Sequence, residues 1–286
     1  MESRAMSLPR AWPEGLVRNP LGAALLRHRF WRNVLGRIGP RYILRTIGGL
    51  RMLLDLREVL GVSRYILKHG SYDPFISDLL REWVGPDGHA VDLGANIGYH
   101  TLVLASATLG RVTSFEPEPH ALWMLRWNVE LNDLRNVRVV PKAVGDSRGT
   151  LRLYRSAKNS GDHHAYPTED ARDSVEVEVT RVDDEIPEGP VAAVKIDVQG
   201  FEERAVRGME AILRRSPRVR VVSEFEPKSI RAAGLEPGSY LDFMESLGFR
   251  WRVAREEERN LVAMGREELL DLCGPRGYAD LVFSRE

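Results

Sequence analysis

VDLGANIGYH at residues 91–100 decides the fold of this chain, because it joins the end of a buried strand to a glycine turn and a helix. Val91-Asp92-Leu93 reads as the strand end, Gly94 to Gly98 as the turn, and Thr101 to Leu109 as the helix. Such an edge presents backbone N–H groups to a nucleoside or an anion. A second apolar strand closes at Glu116 within SFEPEPH at 114–120. Glu116 stands about 20 residues beyond the turn, the offset at which an acidic side chain meets ribose hydroxyls. The unit is therefore predicted to bind a ribose-containing cofactor.

The glycines that are missing narrow the choice. A dinucleotide fingerprint would need glycine at 96 and 99 so that backbone could press against a pyrophosphate, and this chain has Asn96 and Tyr99. The pattern is Asp-x-Gly-x-x-x-Gly, with Asp92 available to a cationic or hydroxyl-bearing group and no cradle for two phosphates. S-adenosylmethionine, which carries an amino acid, a ribose and an adenine but no phosphate, fits that description.

Composition sets the frame. With 286 residues and 43% hydrophobic content, the chain can build one large α/β core and an extension. No run of about 18 uncharged apolar residues occurs, so no membrane span is expected. Arginines interrupt Leu16 to Ile38, which argues against a secretory signal. Cys273 is the single cysteine, so no intrachain disulfide can form, which suits a reducing cytoplasm. The zero net charge hides an asymmetry: residues 1–60 hold eleven arginines, no lysine and four acids, a net of +7, against −7 for the rest.

Leu21, Leu25, Phe30, Trp31, Val34, Leu35 and Ile38 mostly follow three- and four-residue spacing, which predicts an amphipathic helix in this basic arm. Docking on the chain's own acidic domain or on a second subunit suits such a helix, so a homodimer is an open expectation. Nucleic-acid binding is not expected, because the arginines are dispersed and no recognition motif accompanies them. The expected organisation is a basic, mostly helical extension over 1–70 and a cofactor-binding domain over 71–286 with a lid around 155–174.

Beyond the turn, strand and helix alternate as a parallel sheet requires. Strands are predicted at 112–115, 137–140, 191–196 and 219–225, with helices at 119–131, 202–213 and 240–247. Two strands, 151–154 and 175–179, interrupt this rhythm around the polar segment SAKNSGDHHAYPTEDARDS. Strands at 249–253 and 278–283 close the fold.

Taken in order, DLGANIGYHT at 92–101, FEPEP at 115–119, Asn128 and Asn132, KAVGD at 142–146, KIDVQGFE at 195–202 and SEFEP at 223–227 resemble the FkbM-type methyltransferases. The resemblance covers about Tyr72 to Phe283. It implies a seven-stranded, Rossmann-like class I methyltransferase sheet with one antiparallel strand, here the last. It also implies S-adenosylmethionine as methyl donor and, for most members, a hydroxyl acceptor.

Carried over by position, the resemblance puts Asp92 and Gly94 at the methionine end of the cofactor, Gly98 where the helix begins close to it, Ala95 and Asn96 among the cofactor-binding residues, Glu116 on the ribose, and Ala143 and Val144 beside the adenine. Asp197, at the carboxyl end of a parallel strand, is the candidate for orienting the acceptor and taking its proton. Glu224 ends the next strand and faces the same crevice. His163, in the lid, has the side chain best suited to proton transfer near neutral pH. Many members carry an acid where this chain has Gln199, which weakens a carboxylate metal site. No metal site is predicted, although a divalent cation is left open.

Three readings stand. The first is O-methylation of a small molecule, sugar or polyketide-type natural product. The second is a nicotinamide-dependent oxidoreductase on a similar sheet. The third is a cofactor-binding protein without catalysis.

Overall fold

A computed structural model of the protein describes residues 11–12, 39–156, 159, 161, 163–167, 171–275 and 277–285. The chain divides into two compact units, Met1–Tyr72 and Asp73–Glu286.

In the first unit, β1 (Ala11–Trp12) pairs in parallel with β2 (Tyr42–Ile47), which turns through two glycines onto antiparallel β3 (Leu50–Asp55). Helix α1 (Val62–His69) follows. Asp55 ties the hairpin together by accepting from the Arg41 guanidinium at 2.8 Å, while its own N–H donates to Ser63 Oγ. Where the sequence suggests a mostly helical extension, the described part carries this small sheet as well as a helix. The amphipathic helix expected over 21–38 lies outside the described residues.

The second unit alternates as expected, with elements the periodicity did not show. Its elements begin with α2 (Pro74–Val84), β4 (Ala90–Leu93), α3 (Tyr99–Ala107), β5 (Val112–Phe115), α4 (Pro119–Leu131) and β6 (Val137–Val140). Next come β7 (Ala143–Val144), β8 (Gly149–Ser156), β9 (Ala171–Thr180) and α5 (Val182–Glu185). The middle section holds β10 (Ala193–Ile196), α6 (Glu202–Arg207), α7 (Glu210–Arg215), β11 (Arg220–Phe225), α8 (Pro227–Ala232) and α9 (Pro237–Ser246). The unit ends with β12 (Arg250–Arg255), β13 (Asn260–Val262), α10 (Arg266–Cys273) and β14 (Ala279–Ser284).

The large sheet runs β6-β5-β4-β10-β11-β14-β12-β13. From β6 to β11 every pairing is parallel, and β14 inserts antiparallel between β11 and β12. This is the seven-stranded sheet with one antiparallel strand that the resemblance implies, extended at one edge by an eighth strand, β13, which hairpins back on β12. The order reverses between β4 and β10, and ligands bind outside the carboxyl ends of the strands at such a switch point.

Side-chain alternation along the strands sorts the core. Val91, Leu93, Val194, Ile196, Val221 and Phe225 pack into one cluster with Met209, Ile212 and Tyr240. On the opposite face, Ala90, Ala193, Val222 and Val282 pack against Ile76, Leu80 and Leu104 of α2 and α3. Two residues further along β4, β10 and β11, and two residues back along antiparallel β14, that second face carries Asp92, Lys195, Glu224 and Asp280, a charged layer above an apolar one. The β8–β9 hairpin, joined in parallel by β7, is a separate three-stranded sheet.

Candidate functional site

The turn after β4 is held by backbone geometry. Gly94 has φ 74°, and a Cβ there would lie 1.8 Å from the Asp197 carbonyl oxygen, so only glycine lets the two strand ends approach this closely. Asn96 also adopts the left-handed region, φ 51°, with its side-chain oxygen accepting from Ile97 N–H at 2.7 Å. Behind the turn, fully buried Asn128 of α4 donates to the Ile97 carbonyl at 2.8 Å. That asparagine braces the turn from behind.

Glu116 follows β5 and is buried. Its two carboxylate oxygens accept one backbone N–H each, from Asn96 at 2.7 Å and from Glu118 at 2.8 Å. Each oxygen keeps a further lone pair, so two ribose hydroxyls can still donate to it. Burial pushes the Glu116 carboxyl up to about 8 against these backbone donors. Next to it, Glu118 caps α4 by accepting from Ala121 N–H at 2.7 Å, and Pro119 supplies the first helical position.

The turn and the end of β5 open onto one crevice, whose empty space is about 690 Å³ when its open mouth is counted. Gly94, Asn96, Glu116, Ala143, Val144, His163 and Asp197 all line it. Asp92, Ala95, Gly98 and Glu224 do not. Asp92 is fully enclosed behind the turn, where one oxygen accepts from Thr101 Oγ1 at 2.6 Å and the other has no partner. It therefore acts from behind the wall rather than on it.

The residues that sequence reasoning missed are mostly apolar: Phe115, Leu151, Leu153, Val198 and Phe201 complete the walls. The aromatic residues Tyr99, Trp123, Tyr166 and Trp251 are not among them. Leu151 and Leu153 bring the β8–β9 hairpin onto the crevice, and the described residues of the segment between those strands fold back through paired backbone bonds between Tyr154 and His164. His163 Nδ1 accepts from Ser156 N–H at 3.1 Å. A neutral imidazole whose Nδ1 accepts in this way carries its proton on Nε2. Asp162 lies outside the described residues.

At the other end, Asp197 continues the ladder of β10 by donating its N–H to the Leu93 carbonyl at 3.0 Å. Its carboxylate accepts from Lys195 Nζ at 2.9 Å and from Gln199 Nε2 at 2.8 Å. The same Gln199 nitrogen donates to Glu224 at 3.1 Å. Burial opposes a charged Lys195, but Asp197, Asp92 and Glu224 outweigh it and push its pKa up, so the lysine stays protonated and is no base. Glu224 is raised well above the carboxylate range by burial and by Asp197, Asp280 and Glu202. Asp73 and Asp280 each rise to about 7, first through burial; Lys195 opposes the rise in both, and Asp197 and Glu256 add to it.

Glu202 is not a solvated first-turn acid. It is buried and accepts from the backbone N–H groups of Val198 at 3.2 Å and Gly200 at 3.1 Å, clamping the loop between β10 and α6. Among the described residues no group of three or more His, Cys, Asp or Glu is placed to hold a metal ion, and no helix is long and apolar enough to cross a membrane.

Residues 92–251 match the model of the methyltransferase FkbM domain, more than half of the chain. A search of curated proteins found no match. Among solved structures, an rRNA methylase from Streptococcus thermophilus aligns with a TM-score of 0.45 at 13% identity, covering 73% of this chain and 93% of that one. Precorrin-6y C5,15-methyltransferase from Geobacter metallireducens aligns with a TM-score of 0.42 at 13% identity, covering 73% and 86%. TYW2 from M. jannaschii, in complex with AdoMet, aligns with a TM-score of 0.43 at 17% identity, covering 86% and 87%.

Proposed function

The chain belongs to the FkbM methyltransferase family, and from that premise we propose that it methylates a hydroxyl group of a small molecule, with Asp197 receiving the hydroxyl proton. Membership decides between the two cofactors weighed on the sequence: the donor is S-adenosylmethionine rather than a nicotinamide. The crevice fits it, with glycine where a side chain would collide, Glu116 with two free lone pairs, and apolar walls beside Ala143 and Val144.

The observation that carries the proposal is that Glu116 and Asp197 line one crevice. Bound with its ribose on Glu116, S-adenosylmethionine supplies an electrophilic sulfonium methyl carbon. Asp197 stands at the crevice with its carboxylate steered by Lys195 and Gln199, in position to accept the proton of an acceptor hydroxyl as the oxygen takes the methyl group. Such assistance is typically worth about 10²–10⁴-fold in rate. His163, which also lines the crevice, helps orient the acceptor or the donor's carboxylate.

Burial, with Asp197 among the neighbouring acids, raises the Asp73, Glu224 and Asp280 carboxyls, while Lys195 draws all three down. The test is transfer of labelled methyl from the donor to a panel of hydroxylated sugars and polyketide-type compounds, with RNA and amines alongside. Incorporation into hydroxyl compounds that collapses in Asp197→Asn supports the reading, and incorporation into RNA alone overturns it.

A further inference from the structure

We propose that Gln199 is a positioning residue whose side-chain amide occupies the place of a bridging cation between Asp197 and Glu224, so that this carboxylate pair is held without a metal ion. The inference rests on the methyltransferase reading of the crevice. One nitrogen, Nε2, lies 2.8 Å from Asp197 Oδ1 and 3.1 Å from Glu224 Oε1. A primary amide has two N–H groups on that nitrogen, one for each carboxylate, which matches the number of acceptors it meets.

The loop is built for this placement. Gln199 holds a left-handed backbone, φ 53°, which costs a non-glycine residue on the order of 1 kcal/mol and persists only where the surroundings impose it. Glu202 imposes it by accepting the N–H groups on either side, from Val198 and Gly200. Asp197 and Gln199 both line the crevice, so the bridge sits at its wall rather than in the core. Divalent cations such as Mg²⁺ and Mn²⁺ take carboxylate oxygens as ligands, and two carboxylates converging on one point form a partial site. Here that point is filled by a neutral amide, and Lys195 supplies a positive charge that contacts Asp197.

The consequence is a gain of function from a single atom exchange. In Gln199→Glu the donor becomes a third acceptor, and three converging carboxylates bind a cation or must take up a proton. The experiment is Mn²⁺ titration followed by electron paramagnetic resonance on the full chain, comparing wild type, Gln199→Glu and the double variant Gln199→Glu/Glu224→Gln. Melting curves confirm that each is folded, and Gln199→Asp replaces any variant that is not. Binding in Gln199→Glu at least about tenfold tighter than in wild type, and lost again in the double variant, is the expected result. Wild-type Mn²⁺ binding that disappears in Glu224→Gln would overturn the proposal, as would a Gln199→Glu chain that binds Mn²⁺ no better than wild type. S-adenosylhomocysteine titration of the wild type judges the methyltransferase reading separately, since its failure leaves the Mn²⁺ result standing.

Discussion

The two ends of the crevice hold carboxylates by different means. Glu116 is fixed by backbone donors, the N–H groups of Asn96 and Glu118, whereas Asp197 and Glu224 are fixed by side chains, Lys195 and Gln199. Backbone donors come with the strand-turn-helix geometry and survive most substitutions, which suits a ribose that never changes. Side-chain donors change with a single codon, which suits the end where the acceptor and its chemistry vary. Breaking one end should therefore spare the other.

Asp197→Asn should have the largest effect, lowering methyl transfer by about 10²–10⁴-fold while leaving S-adenosylhomocysteine affinity within a few-fold. Equal loss of binding and turnover would show that the two ends are not separable. Gly94→Ala acts on the join between them: with the Asp197 carbonyl in the way and φ positive, it should cost about 2–4 kcal/mol, read as a fall in Tm of roughly 5–10 °C. An unchanged Tm would mean that the turn can open away from β10.

The acids give a pH dependence of definite sign. Asp73, Glu202 and Asp280 rise to about 7 and Glu116 to about 8, all first through burial. A carboxyl whose folded pKa lies above its unfolded value favours the folded state when protonated. That contribution is complete below about pH 4 and is lost as pH climbs through 7 and 8. The ligand-free protein should thus melt several degrees lower at about pH 8 than at about pH 5, and a flat or rising profile would contradict the burial of these groups. The smallest effect belongs to Asn128→Ala, which removes one bond to the Ile97 carbonyl and should cost about 1–2 kcal/mol in thermal unfolding.

Much of this was legible in the sequence where apolar patterning and proline punctuate the chain. Strand 112–115, helix 119–131 and strand 137–140 fall where the reading put them, because each is bounded by a charged or proline-bearing turn. The single helix expected over 202–213 is two, broken at Gly208, where a Cβ would lie 2.0 Å from the Gly145 carbonyl and where the backbone carbonyl instead accepts from Asp183 N–H. Tertiary contact overrides the helical period there. β13 escaped notice because it has only three residues, none of them buried.

In the site, acids at the ends of parallel strands stood out by topology alone. Gln199 drew notice only through the resemblance, and its aim depends on a left-handed backbone that no local pattern announces, while Lys195 reads as an ordinary polar residue in a strand. His163 was legible as a residue of the crevice, but its direction of hydrogen bonding depends on Ser156, seven residues away.

The measurement closest to the central claim is calorimetric titration of the full chain with S-adenosylhomocysteine, with NAD as comparison. The account predicts binding on the order of micromolar Kd, no comparable binding of NAD, and loss of at least about 100-fold in Glu116→Ala, since two charge-assisted bonds are removed together. Affinity should also rise with pH through about 8, because ribose hydroxyls donate to the ionised form of Glu116. Absence of binding, tighter binding of NAD, or binding that survives Glu116→Ala would contradict it.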